Sequence, residues 1–185
     1  MTAQIPDEFR YEGETYDLVG LDGSGLYTPN DFGLETYSSC TACWRGYIMH
    51  YDCVDDMLIL DSMDANVKEL HEVNGVMPGK GKNFMKYTYN DLRLKTKFTG
   101  TMLLARNFIQ EMYVHMGYQR PMAYRTVYEL TVVNGDITKV EDLSERMERM
   151  RKEDPGRDAQ PRDPSEVREW IERTFSLDYE PTDDS

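Results

Sequence analysis

Between Cys40 and Cys53 the chain must either wrap a metal ion or run straight, and the choice decides what the first 135 residues can build. Cys40, Cys43, His50 and Cys53 read C-x2-C-x6-H-x2-C, the ligand types and number of a structural zinc knuckle. Such a site holds each sulfur about 2.3 Å from the ion. An extended chain, rising about 3.3 Å per residue, would instead put Cys43 and Cys53 roughly 33 Å apart. The spacer Trp-Arg-Gly-Tyr-Ile-Met is rich in strand formers, and His50 and Cys53 would project from opposite faces. A strand over residues 44–54 is therefore expected, with no metal and with the thiols filling core space as small hydrophobes.

The same grammar runs through the first 135 residues: short aromatic and β-branched runs cut by turn signals. Residues 9–11 and 14–19 flank Glu12-Gly13 as an opening hairpin, and residues 21–39 follow as a long irregular loop. Residues 44–54 and 57–63 form a second hairpin round Asp55-Asp56. Residues 74–82, with three glycines and a proline, read as a loop. In residues 87–98, Arg93, Lys95 and Lys97 alternate with Leu92, Leu94, Thr96 and Phe98, which predicts another strand. Residues 101–104, 111–116 and 124–133 continue the sheet, Asn134-Gly135 is a hairpin turn, and residues 137–140 close it.

Near Glu141 the period changes. Residues 142–152 are charged on nearly every face and suit a solvated helix, and residues 153–164 carry the prolines and glycine of a linker. Asp163-Pro164-Ser165-Glu166 has capping-box spacing, and Val167, Trp170, Ile171 and Phe175 then fall at helical intervals. From Leu177 the chain reads as a disordered acidic tail. The expected architecture is α+β and β-rich: a mostly antiparallel, twisted sheet in a domain over 1–140, a C-terminal helical appendage of one or two helices over 141–176, and a tail over 177–185.

Charge narrows the partners. The net charge of −13 is unevenly spread: residues 1–79 hold 15 acidic and 3 basic side chains, residues 80–135 hold 3 and 9, and residues 136–185 hold 16 and 9. Strong acidity disfavours nonspecific attraction to nucleic acid or anionic membrane. Residues 1–14 lack the apolar core of a signal peptide, and no run of 18 apolar residues is present, so no membrane association is expected. Three cysteines, two of them three residues apart, suit reduced thiols in a cytoplasm.

No diagnostic catalytic or cofactor signature stands out, and no cofactor is expected. The loop at Gly75–Lys82 misses phosphate-loop spacing, since Lys80 stands five residues beyond Gly75 and no Ser or Thr follows a Gly-Lys pair. Lys80, Lys82, Arg93, Lys95 and Lys97, interleaved with Phe84, Tyr87 and Tyr89, suit an anion or single-strand nucleic-acid surface as well as an ordinary basic strand face. His115, with Glu111 and Tyr113 on the same expected strand face, is the candidate acid–base group of a small-ligand, hydrolase-like enzyme. Trp44, Arg45, Tyr47, Tyr118, Arg120 and Tyr124 are candidate contact residues, because Trp, Tyr and Arg dominate interface energetics.

The strings Cys43-Trp44-Arg45-Gly46-Tyr47, Phe98-Thr99-Gly100-Thr101-Met102-Leu103 and Tyr113-Val114-His115-Met116-Gly117-Tyr118, followed by Tyr128-Glu129-Leu130 and Asn134-Gly135, resemble those of a group of small uncharacterised bacterial proteins. The likeness spans about residues 5–140 and brings no activity, substrate or cofactor with it. The leading expectation is a noncatalytic cytoplasmic binding protein working through protein contacts, inhibitor-like or immunity-like, whose acidic surface meets a basic partner. The small-ligand enzyme and the basic stripe remain its alternatives.

Overall fold

The computed structural model describes residues 2–153 and 164–181. In chain order its strands are β1 (Glu8–Tyr11), β2 (Glu14–Ser24), β3 (Tyr47–Val54), β4 (Met57–Ala65), β5 (Gly79–Lys80), β6 (Tyr87–Tyr89), β7 (Leu94–Lys95), β8 (Thr99–Phe108), β9 (Tyr124–Val133) and β10 (Asp136–Asp142). Helices α1 (Ser144–Glu153) and α2 (Pro164–Thr174) follow. The β-rich reading with C-terminal helices holds. The mostly antiparallel sheet goes beyond the twisted sheet expected, because it closes into a seven-stranded barrel.

Round the barrel the order is β10-β9-β8-β2-β1-β3-β4, and β4 pairs back onto β10. Neighbours are antiparallel except for β1 and β3, which run parallel with Phe9 opposite Tyr51. Closure comes from two hairpin turns that interlock. The Ile137 N–H donates to the carbonyl of Asp56 at 2.7 Å, and the Leu58 N–H donates to that of Gly135 at 2.8 Å. Glu12-Gly13, Asp55-Asp56 and Asn134-Gly135 each hold two successive positive φ values, the geometry that suits tight hairpins to twisted strands.

The barrel is filled, not hollow. Phe9, Tyr51, Leu58, Leu60, Met102, Leu104, Leu130 and Val132 pack inside it, with the Phe9 and Tyr51 rings stacked 4.7 Å apart. Burying one such side chain stabilises the fold by roughly 1.5–3 kcal/mol. A second layer covers the outer face of β2, β8 and β9, where Val19, Leu103, Ala105 and Val127 meet Leu143, Met147 and Ala123. Strand β8 is buried on both faces for this reason, and its Met-Leu-Leu-Ala run needs no polar alternation.

Several local expectations change. The strand expected from residue 44 begins at Tyr47, because Cys43–Gly46 turns and Gly46 takes φ +73° with the Tyr37 carbonyl against its Cα, where no Cβ fits. Residues 87–98 are not one strand. Positive φ at Asp91 and Arg93 breaks it into β6 and β7, yet Leu92, Thr96 and Phe98 stay buried and Arg93, Lys95 and Lys97 exposed. The loop over 74–82 contains the two-residue edge strand β5, and residues 111–116 form a 3-10 turn and loop rather than a strand.

The start of the expected tail is ordered onto the barrel. The Leu21 N–H donates to the Leu177 carbonyl at 2.7 Å, and Tyr179 packs on the second layer. The cap at Asp163, most of the expected linker and residues 182–185 lie outside the described residues. Among those described, no helix is long and apolar enough to cross a membrane.

Candidate functional site

The site grows from one loop, residues 109–121, and one strap, residues 175–181 after α2, both outside the filled barrel. Residues 109–121 leave the end of β8 as a self-supporting loop: the Gln119 side-chain amide accepts from the Val114 N–H at 3.0 Å and donates to the Val114 carbonyl at 2.9 Å. Its far end is tied to the N-terminus, where the Gln4 N–H donates to the Gly117 carbonyl at 2.8 Å. Against this loop lies the end of α2. The Tyr118 N–H donates to the Thr174 carbonyl at 3.0 Å, and Gly117, at φ +74°, sits so close that a Cβ would collide with that carbonyl. Beyond α2, Phe175 stacks on Trp44 with ring centroids 4.7 Å apart and planes 10° from parallel.

Loop, helix and strap enclose an open cavity of about 940 Å³. Its apolar lining includes Val19, Met112, Met116, Trp170 and Leu177. Its charged lining is Arg120, Arg151 and Arg173 against Glu111 and Asp178. Arg151 is held rigidly, its Nε and Nη2 donating to the carbonyls of Met122 and Tyr124 at 2.8 Å each. Tyr179 closes the base of the strap, pressed so tightly on β2 that a Cβ at Gly20 would lie 2.9 Å from its ring. Burial pushes the Tyr179 hydroxyl well above the usual phenol range.

The structure brings Glu111, Tyr113, His115, Tyr118 and Arg120 to this one cavity. It does not assemble a catalytic group from them. Glu111, Tyr113 and His115 are exposed at the rim, the Tyr113 and His115 rings meet edge to face at 5.0 Å, and no hydrogen bond among the described residues orients the imidazole. Arg45 lies elsewhere, locked in a two-pronged pair with Asp7 at 2.9 and 3.0 Å, with its guanidinium 4.7 Å over the Tyr47 ring. Tyr124 is buried and donates to Asp17 at 2.8 Å. Arg45, Tyr47 and Tyr124 are thus committed inside the fold, whereas Trp44 keeps 46 % of its surface exposed.

The basic stripe is divided. Lys80 and Lys82 flank a polar groove with Asp61 and Asp64, Lys95 pairs with Asp136 at 2.6 Å, and Arg93 lies 3.4 Å from Asp91. Lys97 is exposed. The four metal-ligand candidates separate as well: Cys43 packs outside the barrel with Ile48 and Met85, near Cys40, while Cys53 joins the core inside it. Burial pushes the Cys53 thiol up to about 12 and raises that of Cys43, opposing the thiolate a metal requires. Among the described residues no group of three His, Cys, Asp or Glu side chains can hold a metal ion.

His50 has a different occupation. Its Nδ1 lies 3.0 Å from Glu8 and its Nε2 3.0 Å from Asp64, so one imidazole bridges β1, β3 and β4 on the barrel exterior. Burial works against its charge, yet the two carboxylates raise its pKa to about 9. The residues sequence reasoning missed are Arg151, Trp170, Arg173 and Tyr179. Trp170 and Arg173 share one face of α2 three residues apart, a spacing visible in the sequence once the end of α2 is known to dock on the 109–121 loop. Compared with known protein families, curated proteins and solved structures, the chain shows no significant match to any of them.

Proposed function

We propose that this protein is a noncatalytic binding protein that takes a small, largely apolar molecule into the cavity between the 109–121 loop and the C-terminal strap. The observation that carries the reading is that cavity of about 940 Å³, lined by Val19, Met112, Met116, Trp170 and Leu177 with a few charged groups among them. Its size and mixed lining are those of small-molecule sites, and it lies where three separate chain segments meet. Binding is favoured over catalysis because His115 stands at the rim with no oriented partner, which general acid–base chemistry needs. It is favoured over protein contact because Arg45, Tyr47 and Tyr124, three of the six candidate anchors, are spent on internal partners. Three free thiols, unpaired in any disulfide, support a reducing, cytoplasmic setting.

The test is titration with N-phenyl-1-naphthylamine, a neutral dye that brightens in apolar surroundings. Saturable one-site binding is expected for the wild type, falling at least about tenfold in Met116→Trp, whose larger ring intrudes on the cavity, with thermal melts verifying the fold. His115→Asn is expected to leave dye affinity unchanged. Non-saturable binding by the wild type, or unaltered binding in Met116→Trp, overturns the reading.

A further inference from the structure

We propose that the cavity's ligand is an organic anion, a carboxylate or phosphate head on an apolar body, with the head held between Arg151 and Arg173. The inference rests on the small-molecule reading above and adds the chemistry of the head. In a chain with 34 acidic and 21 basic side chains, the described residues that line the cavity reverse the balance, with three arginines to two carboxylates. On α2 itself, Arg168 takes a carboxylate partner, pairing with Glu172 at 3.0 Å. Glu172 is adjacent to Arg173 in sequence, yet Arg173 has no ion pair among the described residues and lines the cavity.

Arg151 supplies the fixed half of the site. Two of its five N–H donors are consumed by the Met122 and Tyr124 carbonyls, which orient the guanidinium without neutralising it. No carboxylate partners it among the described residues. A cation positioned by backbone carbonyls, half-buried in a wall and still rich in donors, is preorganised for an anion and needs no rearrangement to meet one. Trp170 adds a third donor. Its buried indole N–H has no hydrogen-bond partner among the described residues, and Trp170 lies three residues before Arg173 on the same helical face. An unsatisfied buried donor is costly, and a small side-chain adjustment towards an incoming acceptor relieves it.

Across from these donors, Val19, Met112 and Met116 offer apolar, adaptable surface for the rest of the molecule. The simpler account of Arg173 is a cation complementing the C-terminal end of α2. That account predicts a change in helix stability and no preference for charge in the ligand.

The full-length protein is titrated with 1-naphthylacetate, its neutral isostere 1-naphthylacetamide, and 1-naphthyl phosphate. The acetate is expected to bind at least about tenfold tighter than the amide at low salt, the gap narrowing as salt rises. Arg173→Gln is expected to remove most of that gap while leaving amide affinity alone, and Arg168→Gln to change neither. Phosphate binding tighter than acetate identifies a phosphate head; the reverse identifies a carboxylate. Equal affinity for acetate and amide overturns the anion proposal, with saturable N-phenyl-1-naphthylamine binding showing that the cavity reading survives. Loss of acetate and amide binding alike in Arg173→Gln, with an unchanged melt, also overturns it, and failure of all four probes removes both readings together.

Discussion

The bridge of Glu8, His50 and Asp64 makes stability depend on pH in a direction and size that can be worked out. The folded pKa of His50 is about 9 against 6.5 for a free imidazole, a gap of 2.5 units. At about 1.4 kcal/mol per unit the gap is worth roughly 3.5 kcal/mol. His50 is 27 % exposed and Glu8 is 42 % exposed, so solvent screening reduces this to about 2 kcal/mol. Because the folded pKa is raised, the stabilisation is complete below the unfolded pKa and disappears as pH climbs through about 9. Asp64 works in the opposite range. Burial pushes its pKa up, but hydrogen bonds from His50 and Thr88 more than offset this, so its share is lost only on acidification. Urea unfolding of the wild type and His50→Gln at about pH 6 and pH 10 isolates the effect from the tyrosines and lysines that titrate in both. The wild type should exceed the variant by roughly 2 kcal/mol more at the lower pH, or about 4–8 °C in Tm for a chain of this size. A gap of equal size at both pH values, or an imidazole NMR titration centred near 6.5, would refute the charged bridge.

Other consequences of the fold are equally open to measurement. Asp7→Asn should cost roughly 3 kcal/mol in urea unfolding, because it leaves the Arg45 guanidinium without its two-pronged partner and weakens the acceptor of the Met49 N–H. Leu104→Ala, inside the barrel at 0 % exposure, should cost about 2–5 kcal/mol by the same assay. Gly117→Ala should cost at least about 1 kcal/mol and speed amide exchange at Tyr118 and Leu21, whose N–H groups hold the strap, while barrel amides stay protected. Phe175→Ala should remove about 1 kcal/mol of ring stacking and red-shift the emission of Trp44.

The strands were legible where turn chemistry punctuates alternation. Asn134-Gly135 and Asp55-Asp56 announce hairpins because their backbones must take positive φ twice in succession. Alternation itself reports burial more faithfully than it reports a ladder. Arg93, Lys95 and Lys97 face water and Leu92, Thr96 and Phe98 face the core across a backbone that positive φ at Asp91 and Arg93 prevents from being one strand. Exposure likewise alternates from Glu111 to Met116 in a segment that forms no ladder. Closure of the barrel had no local signal. It depends on β1 lying parallel to β3 and on β10 reaching β4, pairings between strands far apart in sequence. The nearest hint was Met102-Leu103-Leu104-Ala105, an apolar run that only a strand covered on both faces can use.

The candidate site illustrates why residue type alone selects poorly among aromatic and arginine side chains. Arg45 and Arg151 look alike in sequence, but one is neutralised by a carboxylate and the other, among the described residues, is oriented by carbonyls alone, so only the second keeps its charge for a ligand. That difference is created by what lies beside each guanidinium in three dimensions. For Arg151 the neighbours come from residues 122–124, nearly thirty positions earlier, and Arg173, which lines the same cavity, comes from a helix brought in by the Thr174 contact with Gly117 and Tyr118. Docking the end of α2 on the 109–121 loop therefore does two things at once. It leaves Trp170 and Ile171 half-buried and brings Arg173 to the cavity, so a variant that frees the strap, such as Gly117→Ala, should lose 1-naphthylacetate affinity along with strap protection. Retained acetate affinity in a variant whose strap amides exchange freely would separate the two and detach the anion site from α2.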